Sequence, residues 1–458
     1  MNRQVRALLL IFILGLILMS CLERDTDAWP ENGVRAQLRF FWWGELATHE
    51  KYDKLIQQFE QQHPDIRVEG QAYSWQGYWD HMRGHLKRQT LPDVFLMAQQ
   101  ELASFVEQNA LLPLDRYMEA GLIDTEKIDP KVLKLGQYEG QTYMIAKTLS
   151  AAAIIVNRDL LMQRNIPLPE QNMDWEQFAE YVLRIAPMLN SDKPHETLYV
   201  LGDSGAQEIA FFSYLLQQGK SFITPDGKQL GFTYEDVKRW FEWWGRLRDA
   251  GAVSPPDPRI ISKRTDLNAS RLTKQQVVME IAAGAELKRW QAEMEEDLDL
   301  LMLPQTEGAD AILETKPYGE WIEGTYFAIS AHTRHPEAAA RFIDYWLNDH
   351  EWNRLYDNEH GIISNQELLN RMQLHPSDQK TAAHLHEVLD RVIVQTPQPP
   401  SSKALFALLQ QSYYEWAAGK ISLEEALSVF FQKSAQMLDS DKNIVHESIF
   451  TIPPYISK

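Results

Sequence analysis

The 458-residue chain has a single cysteine, Cys21, so no internal disulfide is available and the folded body must be held by its apolar cores. Basic side chains are few beside acidic ones: 45 Lys and Arg stand against 64 Asp and Glu, a formal charge of −19. Such a surface repels phosphate backbones and anionic headgroups, which excludes nucleic acid as an ordinary partner. After Met19 no uncharged run reaches the roughly 20 residues that a membrane-spanning helix needs. His-Glu-x-x-His, Gly-x-Ser-x-Gly and phosphate-loop glycine patterns are missing. The histidines are scattered: His332 and His335 fall in a loop, and His384 and His386 stand two apart on a helix, where they do not share a face. No metal and no cofactor is expected.

What is present begins with a basic start, Arg3 and Arg6, then thirteen residues from Ala7 to Met19 without a charged or amide side chain. That pattern reads as a secretory signal, too short to stay as a membrane helix. Cys21 follows Leu18-Met19-Ser20, a stretch that resembles the lipobox of bacterial lipoproteins, with Met19 an unusual occupant. The resemblance implies cleavage before Cys21 and acylation of its sulfur, which leaves no thiol for nucleophilic or metal chemistry. Two or more acyl chains hold a protein stably at a membrane. Residues 1–20 are therefore expected to be the signal and 21–36 a polar tether. The chain is expected to be exported and to meet the membrane of the cell or the periplasm through the lipid on Cys21 only.

The body alternates strand and helix. Leu38 to Trp43 is a compact β-prone run, and Lys51 to Gln62 carries Tyr52, Leu55, Ile56 and Phe59 at helical spacing. Ile66 to Ala72 alternates like a strand, Tyr78 to Arg88 is helical, and Val94-Phe-Leu-Met97 is a buried strand after Leu91-Pro92-Asp93. Asp174 and Gln177 are spaced as a capping box, and Pro187 is expected to interrupt or end the helix they open. Val277 to Ala283 and Leu298 to Leu303 are further β-prone runs, and from Pro336 onward the pattern is nearly all helical. The fold class is α/β, with mainly parallel sheets flanked by helices and a helical C-terminal region.

Between 38 and 365 an ordered series of short motifs resembles the family 1 extracellular solute-binding proteins, the sugar-binding group of bacterial ABC importers that includes maltose-binding protein. The series comprises Phe41-Trp-Trp-Gly44, Phe59-Glu-Gln-Gln-His-Pro-Asp-Ile-Arg-Val68, Leu91-Pro-Asp-Val94, Leu112-Pro-Leu-Asp115 and Tyr138-Glu-Gly-Gln-Thr-Tyr143. It continues with Val156-Asn-Arg-Asp159, Asp174-Trp-Glu-Gln-Phe178, Ile329-Ser330 and His335-Pro-Glu-Ala-Ala-Ala-Arg-Phe-Ile343. The family's hinge proline is replaced in Tyr143-Met-Ile-Ala-Lys147, and Gln275 and Glu286 stand where relatives often have Gly and Trp. The resemblance implies the two-lobed periplasmic-binding-protein type II fold. It implies a monomer that takes a carbohydrate ligand between its lobes and passes it to an ABC permease. The expected division is 37–148 in the N-terminal lobe, 149–275 in the C-terminal lobe, 276–326 back in the first and 327–458 in the second. Crossings are expected near 147–153, 270–277 and 324–328.

A sugar has an apolar face and a hydroxyl rim, so its site needs flat aromatic rings with carboxylates or amides around them. Ligands of open α/β sheets sit beyond the carboxyl ends of strands. This selects Trp42, Trp43 and Glu45 after the first strand, Trp75 after the second, and Gln99 and Gln100 after the third. Glu280 and Gly284 come from the returning strand, and Glu320, Trp321 and Glu323 from Tyr318-Gly-Glu-Trp-Ile-Glu-Gly324. Trp42 and Trp43 point to opposite sides of their strand, so one of the two belongs to the core. Trp240 and Trp244 lie on an apolar helical stripe and read as core, whereas Trp243 lies off it, exposed or at a lobe contact. Two other classes fit the same features: a ligand-sensing ectodomain that signals to a receptor, and a glycoside-active enzyme with paired carboxylates. The chain lacks the eightfold strand and helix succession of a barrel, and no catalytic residue is assigned. An uncharged or weakly cationic ligand is favoured, because the selected residues are neutral or acidic.

Overall fold

The computed structural model describes residues 34–44, 46–190, 198–224, 226–256, 270–306, 320–350, 361–391 and 397–440. The expected signal, Cys21, nearly all of the tether and Glu45 lie outside the described residues. The tether ends sooner than expected, because Ala36 is already buried as the first residue of β1.

The strands are β1 (Ala36–Trp43), β2 (Ile66–Tyr73), β3 (Val94–Ala98), β4 (Gln137–Tyr138), β5 (Gln141–Thr142) and β6 (Met144–Asn157), then β7 (Tyr199–Leu201), β8 (Val277–Ala283), β9 (Leu298–Leu301), β10 (Ile322–Ile329) and β11 (Ile362–Ile363). Outside the β4–β5 hairpin, they join into one mixed sheet through β6, all 14 residues of which are buried. The first half of β6 pairs antiparallel with β10 and β11, and β10 continues through β3 and β1 to β2. The second half pairs antiparallel with β8 and β9, and β7 lies parallel to β8. Two lobes result, each with its own apolar core. Ala151 belongs to the first core and Ala152 to the second. A continuous apolar strand can serve both because each half is covered on both faces.

The lobe memberships expected for the later chain are corrected by these pairings. Residues 276–306 stay in the second lobe, since β8 and β9 pair with Ile154 and its neighbours. The chain returns to the first lobe at Trp321–Ile322, where Trp321 belongs to the second core and Ile322, the first residue of β10, to the first. It stays there through the helix Pro336–Asn348, whose Phe342 and Trp346 enter the first core, and the helix Pro376–Arg391 touches both lobes: Leu385 and Val388 enter the first core while Lys380 and Thr381 bond to the Leu298 and Gly284 carbonyls of the second lobe. Only the helices Ser402–Ala417 and Leu423–Ser440 rejoin the second. An apolar run such as Val277–Ala283 announces a buried strand but carries no label for its partner.

Local chemistry explains several element ends. The Ser74 side chain accepts the Gly77 N–H and opens the helix Trp75–Arg88, which closes on Gln89 in the left-handed region. The Asp174–Gln177 capping box is formed in both directions, and its helix runs to Leu189, so Pro187 is tolerated in the last turn rather than ending it. Gln275 holds φ at 54°, a left-handed conformation that glycine adopts without strain. Gly70 on β2 makes room for the Trp42 ring, since a Cβ there would lie 2.8 Å from it.

Candidate ligand cleft

The carboxyl ends of both sets of parallel strands point at the segment where the chain crosses between lobes. In the first lobe Trp43 ends β1 beside Tyr73 at the end of β2, and β3 stops at Ala98. β10 pairs Thr325 with Ala98, so Ile322–Gly324 run on past the end of β3 along Leu149–Ala151. In the second lobe Ala283 at the end of β8 lies opposite Ala152, and β7 runs parallel beside it. This is the geometry in which open α/β sheets bind ligands.

Both adjacent tryptophans, not one, are buried in the first core: Trp42 is 1 % exposed and packs on Phe40 and Tyr52 at 5.1 and 5.2 Å between ring centroids, and Trp43 is 6 % exposed. Trp43 points to the other side. Its ring meets Trp75 edge to face at 4.9 Å and 88°, and also contacts Tyr78 and Trp79. Trp75, the first residue of its helix, is half-buried and has apolar surface to offer. An edge-to-face pair of this kind fixes both rings.

Gln99 is buried and donates its amide to the Leu135 carbonyl at 3.3 Å, whereas Gln100 is half-buried. The next residue, Glu101, pairs with Lys403 near the start of Ser402–Ala417, linking a first-lobe turn to a second-lobe helix. Sequence reasoning missed both. Glu101 follows β3 directly and the strand-end rule could have reached it, but nothing local ties Lys403 to the cleft.

On the crossing segment Glu320 is buried and Glu323, half-buried, lies opposite Ser150. Burial pushes the nearby Tyr326 hydroxyl up, with the Glu323 charge adding to it. Trp321 is 8 % exposed and packs its ring on Phe212 at 4.9 Å. Its N–H donates to Ser213 Oγ and its carbonyl accepts from the Ala152 N–H, so it is a packed residue of the second core. The Gly284 N–H donates to the Ala151 carbonyl at 2.8 Å, and the Gly284 carbonyl accepts from Thr381 Oγ1. Gly284 thus braces the crossing through its backbone.

Glu280 belongs to a buried polar network that the sequence did not disclose. Ser270 Oγ donates to Glu280 Oε2 at 3.2 Å, and burial pushes the Glu280 carboxyl up while Arg271 opposes this. Arg271 donates to Ser254 Oγ, which also accepts the Asp203 N–H. The Asp203 carboxylate in turn accepts from Arg248 at 2.7 Å and from the Tyr413 hydroxyl at 2.8 Å. Burial pushes Asp203 up and Arg248 pulls it back. The network fixes the loop after β7, whose Ala206 carbonyl is further held by the Gln410 amide. Trp243, expected off the core stripe, is buried and donates Nε1–H to the Trp175 carbonyl at 2.8 Å, while Trp240 and Trp244 are core.

A separate pocket of about 250 Å³ lies between β9, the loop Pro169–Met173 and the helix Pro376–Arg391, and none of the eleven predicted ligand residues lines it. Among the described residues no cluster of His, Cys, Asp and Glu could hold a metal ion, and no helix is long and apolar enough to cross a membrane.

The fold resembles that of many solved binding proteins. A periplasmic solute binding protein from Pectobacterium atrosepticum superposes with a TM-score of 0.74 at 19 % identity, covering 88 % of this chain and 99 % of the other. A periplasmic oligogalacturonide binding protein from Yersinia enterocolitica, in complex with saturated digalacturonic acid, gives 0.72 at 17 % identity over 88 % and 99 %. An ABC substrate-binding protein from Listeria monocytogenes in complex with cycloalternan gives 0.70 at 16 % identity over 90 % and 100 %. A putative binding protein of Brucella abortus (strain 2308) is 26 % identical over 182 residues, 38 % of this chain and 41 % of that protein. The chain therefore aligns with less than half the length of this curated relative. The family model described as bacterial extracellular solute-binding protein matches residues 54–380, and the chain belongs to that family.

Proposed function

We propose that this protein captures a sugar or short oligosaccharide between its two lobes and delivers it, unaltered, to the permease of an ABC importer. The observation that carries this reading is the convergence of strand ends from both lobes on Glu320–Gly324, with the Trp43–Trp75 pair on one side. An aromatic wall beside carboxylates suits a ligand with one apolar face and a hydroxyl rim. Relatives of the same fold were solved with an oligogalacturonide and with cycloalternan. The ligand contacts favoured here are the half-buried Trp75, Gln100 and Glu323. Trp42, Trp43, Gln99, Glu280, Gly284, Glu320 and Trp321 are buried and shape the site from behind, and Glu45 remains a candidate. The protein works as a monomer held to the membrane by acylated Cys21, and it binds its ligand without catalysis. The test is a thermal-shift screen of the purified protein against neutral and acidic mono-, di- and oligosaccharides. A ligand at a hundred times its dissociation constant stabilises by about 2.7 kcal/mol. Chromatography of the recovered ligand should show it unchanged; hydrolysis that follows the purified protein would overturn the non-catalytic reading, and a screen without any stabilising saccharide would overturn the sugar assignment.

A further inference from the structure

The first-lobe sheet has a second end. β1, β2 and β3 run parallel with their carboxyl ends at the cleft, so their amino ends share the opposite edge, about 26 Å away along the eight residues of β1. The helix Trp75–Arg88 runs back from the cleft and ends on that edge, where the Arg39 guanidinium donates to the Thr90 and Leu91 carbonyls.

This edge carries a charge opposite to that of the molecule. Residues 34–44 and 81–92 contain Arg35, Arg39, Arg83, Lys87 and Arg88 without one Asp or Glu, in a chain of formal charge −19. Arg83 pairs with Asp80, but Lys87 and Arg88 are exposed and form no ion pair among the described residues. Burial holds the nearby His85 ring below its ordinary pKa, and the charges of Arg88 and Arg39 lower it further. The acidic groups of this edge are engaged or turned away. The Asp93 carboxylate accepts the Arg39 N–H and the Thr333 hydroxyl, and Glu60 accepts the Val68 N–H with Arg67 at 4.0 Å. Asp65 lies by His63, and Glu337 opens the helix Pro336–Asn348, which packs through Phe342 on Phe40, the face of β1 opposite Phe41 and His85. The corner around Lys87 and Arg88 therefore keeps a positive excess. The same edge is where the chain enters the body, since Val34 and Arg35 lead into β1. Cys21 lies thirteen residues before Val34, a reach of at most about 45 Å.

We propose that this basic edge is a membrane-contact surface that takes the anionic headgroups of phospholipids and sets the pose of the anchored protein, first lobe towards the bilayer and second lobe away from it. The pose rests on the anchoring at Cys21 argued above; the headgroup contact itself does not. Screening limits attraction to charges within about 8–10 Å of the surface at physiological salt, so Lys87 and Arg88 act while the acidic second lobe is held off. A contact of so few cations orients the protein and does not hold it without the lipid.

The experiment uses a chain that starts at Leu22, which keeps every described residue and both apolar cores but carries no lipid. It is floated with vesicles of equimolar phosphatidylglycerol and phosphatidylcholine, or of phosphatidylcholine alone, in 20 and 150 mM NaCl. Binding to the anionic vesicles alone is expected at 20 mM, with little left at 150 mM. The double variant Lys87→Gln/Arg88→Gln should bind at least about fivefold more weakly. Lys228→Gln/Lys420→Gln, the same change of charge at exposed positions of the second lobe, should bind as the parent does. An unchanged thermal midpoint shows that the variants fold, and mass spectrometry of the protein recovered from cells reports acylation of Cys21 separately. No binding to anionic vesicles at 20 mM, equal binding to both kinds of vesicle, or equal loss in the two double variants would overturn the proposal.

Discussion

Glu101 and Lys403 form an ion pair between the lobes, one on the turn that follows β3 and the other on the helix that re-enters the second core. The Glu101 side chain is 12 % exposed and that of Lys403 42 %, so water screens the pair in part. Exposed pairs contribute between nothing and about 1 kcal/mol. If the lobes of the free protein open from the arrangement described here, the pair is lost on opening and its contribution appears in affinity. Glu101→Gln should therefore weaken saccharide binding by up to about fivefold and reduce its dependence on salt between 50 and 500 mM NaCl. Calorimetry at the two salt concentrations checks this, and an affinity indifferent to both the substitution and the salt would remove the pair from the closing mechanism.

The tryptophans separate into packing and contact residues. Trp243 sits against Trp175 and Trp244 and donates a hydrogen bond to the Trp175 carbonyl. Trp243→Ala is expected to cost about 3–5 kcal/mol of stability by leaving a cavity and a bare carbonyl. Trp75→Ala, at a half-buried position, should cost clearly less stability and weaken saccharide binding by about tenfold. Urea denaturation and calorimetry on both variants distinguish them. A Trp75 variant that binds as tightly as the parent would place the ligand elsewhere.

Much of the architecture was legible because period and breaker signals report local structure directly. Tyr52, Leu55, Ile56 and Phe59 mark the buried face of the helix Leu46–Gln62, and the Asp174–Gln177 spacing marks a helix start. Lobe membership was less legible. Whether β8 lies beside the first or the second half of β6 depends on pairing over more than a hundred residues, and its apolar run suits either. Burial within the site was misread for the same reason. Trp321, bounded by Glu320 and Glu323, looks like an open platform in sequence, yet Phe212 and Ser213 from a distant helix cover it.

His384 gives the fold a measurable pH dependence. Burial lowers its pKa, while the Ala152 carbonyl and the Glu387 charge pull the other way. The unfolded chain thus takes up a proton near pH 6.5 before the folded chain does, and stability present above that pH declines as pH falls through the folded value. The slope contributed by one proton is at most about 1.4 kcal/mol per pH unit. His63 and His85 are lowered as well, so the parent curve is a sum. The difference between parent and His384→Gln in urea melts from pH 7.5 to 5 isolates this residue. The gap in stability should narrow as pH falls, and a constant gap would contradict the assignment.

Replacing Cys21 by Ser should release the protein from membranes, because the sequence has no other thiol to carry the proposed acyl chains. Fractionation of cells that make the variant checks this. A variant that sediments with membranes as the parent does would rule out the lipid anchor.

Closure of the lobes is the motion that the connections permit. The chain passes between the cores within β6 at Ala151–Ala152, at Trp321–Ile322, and between the helices Pro376–Arg391 and Ser402–Ala417. Few residues need to change conformation at such crossings for the lobes to rotate. The cost of rotation is met only by contacts that exist in the closed state, so an inert solute leaves the molecule where it was. A saccharide held by Trp75 on one side and by groups beyond β7 and β8 on the other supplies such contacts, and the Glu101–Lys403 pair adds a small one. Small-angle scattering should then show a smaller radius of gyration with a confirmed saccharide than without. The change should shrink when Trp75→Ala is titrated at the same saccharide concentration, because fewer molecules are occupied, and recover at higher concentration. A saturating ligand that leaves the radius unchanged in the parent would mean that the lobes are fixed and that the site is preformed.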